Sequence, residues 1–183
     1  MAMNWKTIPG DMQAFISEQK VFFVATSPRE GRVNLSPKGL DTLRILDEKT
    51  VAYLDLTGSG NETAAHVHEN GRMTIMFCAL NGAAMILRLY GVAELIRPNH
   101  ADFDWLLRAF PRLPGARQIF RLNIDHVSNS CGWSIPIVGE ITERHELLTW
   151  AEGKGEQGME AYRLSNNLVS IDGLSTGYVS DDF

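Results

Sequence analysis

The dipeptide Asn81-Gly82 constrains this chain more than any other feature, because it stands between two runs that read as strands. Met73 to Leu80 is largely apolar, and Ala83 to about Ile96 alternates. In the second run Leu87, Leu89, Ala93 and Leu95 face one way, while Arg88, Tyr90, Val92 and Glu94 face the other. Asn-Gly accepts positive φ at the centre of a tight turn, so the two runs are expected to form a hairpin. A second hairpin is expected earlier, with Val21 to Thr26 turning at Pro28 to Gly31 and returning along Arg32 to Ser36. Connections this short cannot carry the crossover that parallel strands need. A doubly wound parallel sheet is therefore disfavoured.

The remaining segments fit around these hairpins. Met12, Phe15, Ile16 and Gln19 lie at helical spacing after Pro9-Gly10. A third strand is expected over Thr50 to Leu56, ending in the turn Thr57-Gly58-Ser59-Gly60. A short helix starts near Asn61 and stops at Asn70-Gly71, where glycine suits the position after a helix. Pro98-Asn99 precedes a helix with the apolar stripe Phe103, Leu106, Leu107 and Phe110, stopped by Pro111. A sixth strand alternates Phe120, Leu122 and Ile124 against Arg121, Asn123 and Asp125. From about residue 142 the chain reads as two helices broken at Gly153 and Gly155, and the last dozen residues should wrap on the surface or over a partner. The expected fold is a six-stranded antiparallel β-barrel with peripheral helices, of the α+β class. A length of 183 residues suits one domain, with a helical extension from about 142.

Composition narrows the function. The net charge of −5 leaves no basic stripe to neutralise nucleic-acid phosphates. No apolar run approaches the length needed to span a bilayer. The opening Met-Ala-Met-Asn-Trp-Lys lacks the layout of a secretion signal, and Cys78 and Cys131 alone make no disulfide framework, so a cytoplasmic location is expected.

Two segments could hold an anion. Asn34-Leu35-Ser36-Pro37-Lys38-Gly39 ends a strand and puts the Ser36 hydroxyl and the Lys38 ammonium at its tip. A solvated lysine in a turn is the alternative reading. Thr57 to Thr63 is a glycine-rich turn running into a helix, whose free amides and positive dipole end attract anions. Here the alternative is an ordinary cap, with Ser59, Asn61 or Thr63 satisfying the helix start. If the second and third strands pair, Lys38 and the helix start converge on one phosphate. Arg88, in mid-strand, is either a flavin contact or a cross-strand partner of a glutamate. His66 and His68 sit two apart on a helix and point about 200° away from each other, which does not suit one metal.

These segments together resemble the pyridoxamine 5′-phosphate oxidase-related FMN-binding proteins. The likeness runs from about Phe15 to Val138. It rests on Val33 to Gly39, Gly58 to His66, Asn70-Gly71-Arg72, Leu87 to Gly91 and Ser130 to Pro136, in that order and spacing. It implies a split β-barrel homodimer with FMN in clefts at the subunit interface, acting as an FMN-dependent oxidoreductase on a small molecule. It also implies phosphate contacts from Ser36, Lys38, Asn61 and Thr63, and ring-side contacts from Asn34, Leu35, Asp55 and Leu56, with Arg88 a further candidate. A non-catalytic flavin carrier or redox sensor, and a relative using deazaflavin F420 or haem, are the alternatives. Two departures stand out. Glu62-Thr63 occupies the place of a basic pair in the oxidase, and no arginine-x-histidine motif follows Ile171. The missing charge would come from Lys38, helix-start amides or the other subunit.

Overall fold

The structure is a computed structural model that describes residues 3–178. Its strands are β1 (Asn4–Trp5), β2 (Phe22–Thr26), β3 (Asn34–Lys38), β4 (Leu43–Asp47), β5 (Thr50–Leu56), β6 (Arg72–Cys78), β7 (Ile86–Ile96) and β8 (Ala116–Ser130). Its helices are α1 (Gly10–Glu18), α2 (Glu62–Asn70), α3 (Phe103–Leu107) and α4 (Glu146–Asn166). Every pairing between strands is antiparallel, as the two short hairpin turns require. The order is β3-β2-β6-β7-β8-β5-β4, with β1 added on β8.

The expectation of six strands needs correction to eight among the described residues. The two extra strands are β1, only two residues long, and β4, whose Leu-Arg-Ile-Leu-Asp is half-buried and does not alternate. Neither segment carries a period that sequence alone could register. The Asn81-Gly82 hairpin forms, but its ladder ends at the Cys78–Ile86 pair. The tip is a longer loop closed by Ala79 N–H to the Met85 carbonyl at 2.8 Å, with Gly82 at φ 72°.

The sheet curls until its ends face each other. β2 and β5 are separated by three strands, yet Phe22 and Tyr53 meet edge to face at 5.8 Å between centroids. Among the described residues, β3 pairs only with β2 and β4 only with β5, so side chains rather than a ladder bring the edges together. The enclosed core holds Phe22, Val24, Ile75, Phe77, Leu89 and Phe120, with α1 and α2 sealing it through Met12, Ile16 and Ala64. A smaller core under α3 gathers Leu54, Ile96, Leu106 and Ile119. No helix among the described residues is long and apolar enough to cross a membrane.

Glycine acts at two places that shape the site. Gly71 ends α2 in the left-handed region at φ 72° and donates to the Val67 carbonyl, as its position in the sequence suggests. In α4 the backbone breaks at Gly155, at φ 63° and ψ 177°, while Gly153 stays inside the helix. The segment after α4 folds back over the chain itself: Arg32 pairs with Asp172, and Arg97 donates to the carbonyls of Thr176 and Gly177.

A bulge at Tyr90/Gly91 lets β7 bend across β8. A methyl group at Gly91 would overlap the Asn123 carbonyl. Gly91→Ala is therefore expected to cost about 1–3 kcal/mol by overpacking, measured as a lower midpoint in urea unfolding.

Candidate functional site

The run Val51 to Leu54 is fully buried, and its continuation carries Asp55 inside with it, 2% exposed. A buried carboxylate needs partners. Arg117, from the start of β8, gives Nε and Nη2 to Asp55 Oδ2 at 3.1 and 2.6 Å. Gln118 Nε2 reaches the same oxygen at 2.9 Å, and Lys38 Nζ lies 3.1 Å from Oδ1. Burial pushes the carboxyl pKa up, but Arg117 and Lys38, with hydrogen bonds from Arg117 and Gln118, outweigh it and hold the value down to about 2. Asp55 is thus ionised at any physiological pH.

The start of α2 is built differently from an ordinary cap. Asn61 occupies the cap position, yet its side chain makes no capping bond. It turns inward instead, accepting from Gln118 Nε2 at 2.8 Å and donating to the Asn167 carbonyl at 3.4 Å. The Thr63 N–H thereby loses its usual cap acceptor, and the backbone N–H groups of Ser59 to Thr63 donate to no acceptor among the described residues. Free amides at the positive end of a helix form an anion site.

β3 supplies the opposite wall. Its register on β2 puts Asn34, Ser36 and Lys38 on the face turned toward the core strands. Asn34 Nδ2 donates to Thr63 Oγ1 at 3.2 Å, and Ser36 Oγ donates to Asn34 Oδ1 at 3.2 Å. Together these elements enclose a cleft of about 380 Å³ lined by Asn34, Ser36, Lys38, Leu56, Asn61 and Thr63, among others. The convergence does not come from pairing β3 with β5, the condition the sequence left open. Those strands share no ladder, and curling of the sheet brings them together.

A second, more apolar cavity of about 610 Å³ adjoins the first through Pro37, Lys38, Leu56 and Gly58. Its other walls include Val21, Leu40, Leu54, Ile141 and Leu147. Leu40 holds φ at 60°, a left-handed conformation unusual for a branched residue. Polar side chains dominate the first cavity, while the second mixes these aliphatic walls with Lys20, Glu143 and Arg144.

Charge alone does not make the cleft attractive to anions. Lys38 and Arg117 are matched by Asp55 and Glu62. The Glu62 carboxylate, however, turns to accept the Ile171 amide at 3.0 and 3.1 Å. The attraction then rests on amides and on the exposed quarter of the Lys38 side chain.

Not every residue expected at the site lines this cleft. Leu35 lies on the opposite face of β3 and is 60% exposed. Arg88 lies on that same outer face, in the cross-strand row Pro37–Phe23–Met76–Arg88–Ser128. It donates to Ser130 Oγ at 3.1 Å and pairs with no glutamate among the described residues. Asp55 does line the cleft, with its carboxylate taken up by Arg117, Gln118 and Lys38. His66 is buried with Nδ1 3.0 Å from Thr26 Oγ1, and His68 is exposed.

Three residues of the site were not anticipated: Arg117, Gln118 and Asn167. Asp55 in its apolar run was the available signal for the first two, since a carboxylate there demands a cation. Asn167 lies far along the chain in a polar stretch and carries no such signal.

Comparison with known proteins agrees with this architecture. A family model described as pyridoxamine 5′-phosphate oxidase matches residues 8–131. The pyridoxamine 5′-phosphate oxidase family protein ustO of Aspergillus flavus is 32% identical over 192 residues, covering 95% of this chain and 77% of that protein. Among solved structures, HupZ of Group A Streptococcus superposes with a TM-score of 0.53 at 23% identity, over 72% of this chain and 99% of HupZ. An FAD-binding protein of Mesorhizobium loti gives 0.51 at 12% identity, over 70% and 96%. These two likenesses concern the fold.

Removing the Asp55 carboxylate leaves Arg117 buried and uncompensated. Asp55→Ala should lose about 3–5 kcal/mol of stability. Because the folded pKa is depressed, the stabilisation from Asp55 is present above the unfolded value near 4 and lost as pH falls toward 2. Thermal melts from pH 5 to 2 should fall less steeply for the variant than for the wild type.

Proposed function

We propose, since this chain belongs to the pyridoxamine 5′-phosphate oxidase family, that it is an FMN-dependent oxidoreductase working as a homodimer on a small-molecule substrate. The observation that carries this reading is the row of amides from Ser59 to Thr63, unpaired among the described residues, lining one cleft of about 380 Å³ with Lys38 and Ser36. An ordinary cap would have used the Asn61 side chain to satisfy the Thr63 amide, and it does not.

When bound, the flavin supplies the hydride and electron chemistry, so the protein's tasks are binding, orientation and electrostatics. Lys38 would hold the phosphate together with the α2 amides, while Ser36, Asn61 and Thr63 add neutral donors. Asp55 fixes Lys38 in place through the contact at 3.1 Å. Leu56, at the junction of the two cavities, and Asn34, in the first of them, would meet the ring side. The apolar second cavity would keep water from that side.

The homodimer is supported by the outer face of β3, β2, β6 and β7. Leu35, Phe23, Met76 and Arg88 share that face, and Leu35 is 60% exposed. Burying that face against a second copy would give Leu35 and Arg88, which do not line their own subunit's cleft, a place beside the neighbouring subunit's flavin. An isologous contact uses the same patch twice and completes two equivalent clefts.

The first test is a titration of purified protein with FMN, followed by flavin fluorescence and the visible spectrum; failure to bind would overturn the reading. Lys38→Ala removes one charge-assisted bond, worth about 1.5–3 kcal/mol. It should weaken FMN binding roughly 10- to 100-fold, while Thr63→Val should weaken it less than tenfold. Sedimentation equilibrium should give a dimer at micromolar concentration. Turnover with reduced nicotinamide and an artificial acceptor would separate an oxidoreductase from a flavin carrier.

A further inference from the structure

Residues beyond the family match, from Arg163 to Thr176, form a strap against the glycine-rich turn, and several of its contacts land on the turn or the first residue of α2. Arg163 Nε donates to Thr57 Oγ1 at 2.9 Å, at the beginning of the turn. Asn167 Nδ2 donates to the Gly58 carbonyl at 3.1 Å. The Asn167 carbonyl accepts Asn61 Nδ2 at 3.4 Å and Thr176 Oγ1 at 2.8 Å. The Ile171 amide takes up the Glu62 carboxylate. Asn167 is the centre of this set, with 0% exposure, and its Oδ1 also accepts Arg117 Nη1 at 2.7 Å.

The pattern has a directional consequence. In a trans peptide the carbonyl of one residue and the N–H of the next point in opposite directions. Asn167 draws the Gly58 carbonyl into the protein, which turns the Ser59 N–H away from it. Arg117 does the same for Gly60 at 3.3 Å, and so for the Asn61 N–H. Arg117 is itself held by Asn167. Gly58 and Gly60 give the turn wide conformational freedom, so without outside bonds its amides would have no fixed aim. We infer that Asn167 is the positioning residue of the anion site: through Gly58 and Arg117 it orients the free amides of the Gly58–Thr63 turn, and the strap after α4 is part of the cofactor-binding apparatus.

This inference rests on the flavin reading for its ligand, but not for its geometry, and two readouts separate them. FMN affinity is measured by fluorescence quenching, and amide hydrogen exchange is measured on residues 57–63 of the flavin-free protein. Asn167→Leu should bind FMN 10- to 100-fold more weakly, and its turn should exchange at least tenfold faster. Asn167→Asp keeps the volume and the bond to Arg117 but loses the donor to Gly58; its turn should also exchange faster. Leu106→Ala serves as the control, since it destabilises the separate core under α3; its FMN affinity should stay within about twofold of wild type. Should Asn167→Leu fail to fold, Asn167→Asp and the exchange data decide. Unchanged exchange in the turn of a folded Asn167 variant would overturn the inference, as would unchanged affinity where wild type binds FMN. If wild type binds no FMN but the variants still loosen the turn, the flavin reading falls and the positioning role stands.

Discussion

The buried pair of Asp55 and Arg117 organises the site. Two charges out of water are costly unless each finds several partners, and these do. Asp55 takes Arg117, Gln118 and Lys38; Arg117 takes Asp55, the Gly60 carbonyl and Asn167. One pair therefore ties β5 to β8, to the tip of β3, to the glycine turn and to the strap that follows α4. The energetic return on the pair itself is small by comparison with what it arranges. It sets the distance between Lys38 and the start of α2, and that distance sets the cleft.

Curvature does the rest. An open sheet would leave β3 at one edge and β5 near the other. Here the twist and the bulge at Gly91 roll the sheet until Phe22 meets Tyr53 and Lys38 meets Asp55. Since β3 and β4 share no ladder, the seam is closed by side chains, and a seam of that kind leaves room for a cleft. Binding site and sheet closure are the same feature seen from two sides. The charge balance follows from it: the lysine needed for an anion is also the lysine that closes the seam, so its ammonium is shared with Asp55.

The elements with a strong local period were legible in the sequence. The strand over Thr50–Leu56, the helix ending at Gly71 and the alternation of Leu87 and Leu89 all stand where the residues put them. So do Ser36, Lys38, Asn61 and Thr63 around one cleft. β4 was not legible, because Arg44 and a mixed half-buried face give it no period. Pairing of the second and third strands, the condition under which the sequence would bring Lys38 to the helix start, is not met, since two segments can approach without sharing a ladder, and sequence does not distinguish those cases.

What the sequence determined alone was local. Short turns forced antiparallel pairing, glycines fixed the stop of α2 and the break in α4, and donors were placed at a strand tip and a helix start. Which of those donors remain free was decided only by tertiary structure. The Asn61 side chain could have capped its own helix, and it is the distant Gln118 and Asn167 that draw it inward. Likewise Leu35 and Ser36 are neighbours in the chain, but the pleat sends one outward and the other into the cleft. Partners more than fifty residues away settle such choices, because a polar group in the interior bonds to whatever the fold brings within about 3 Å.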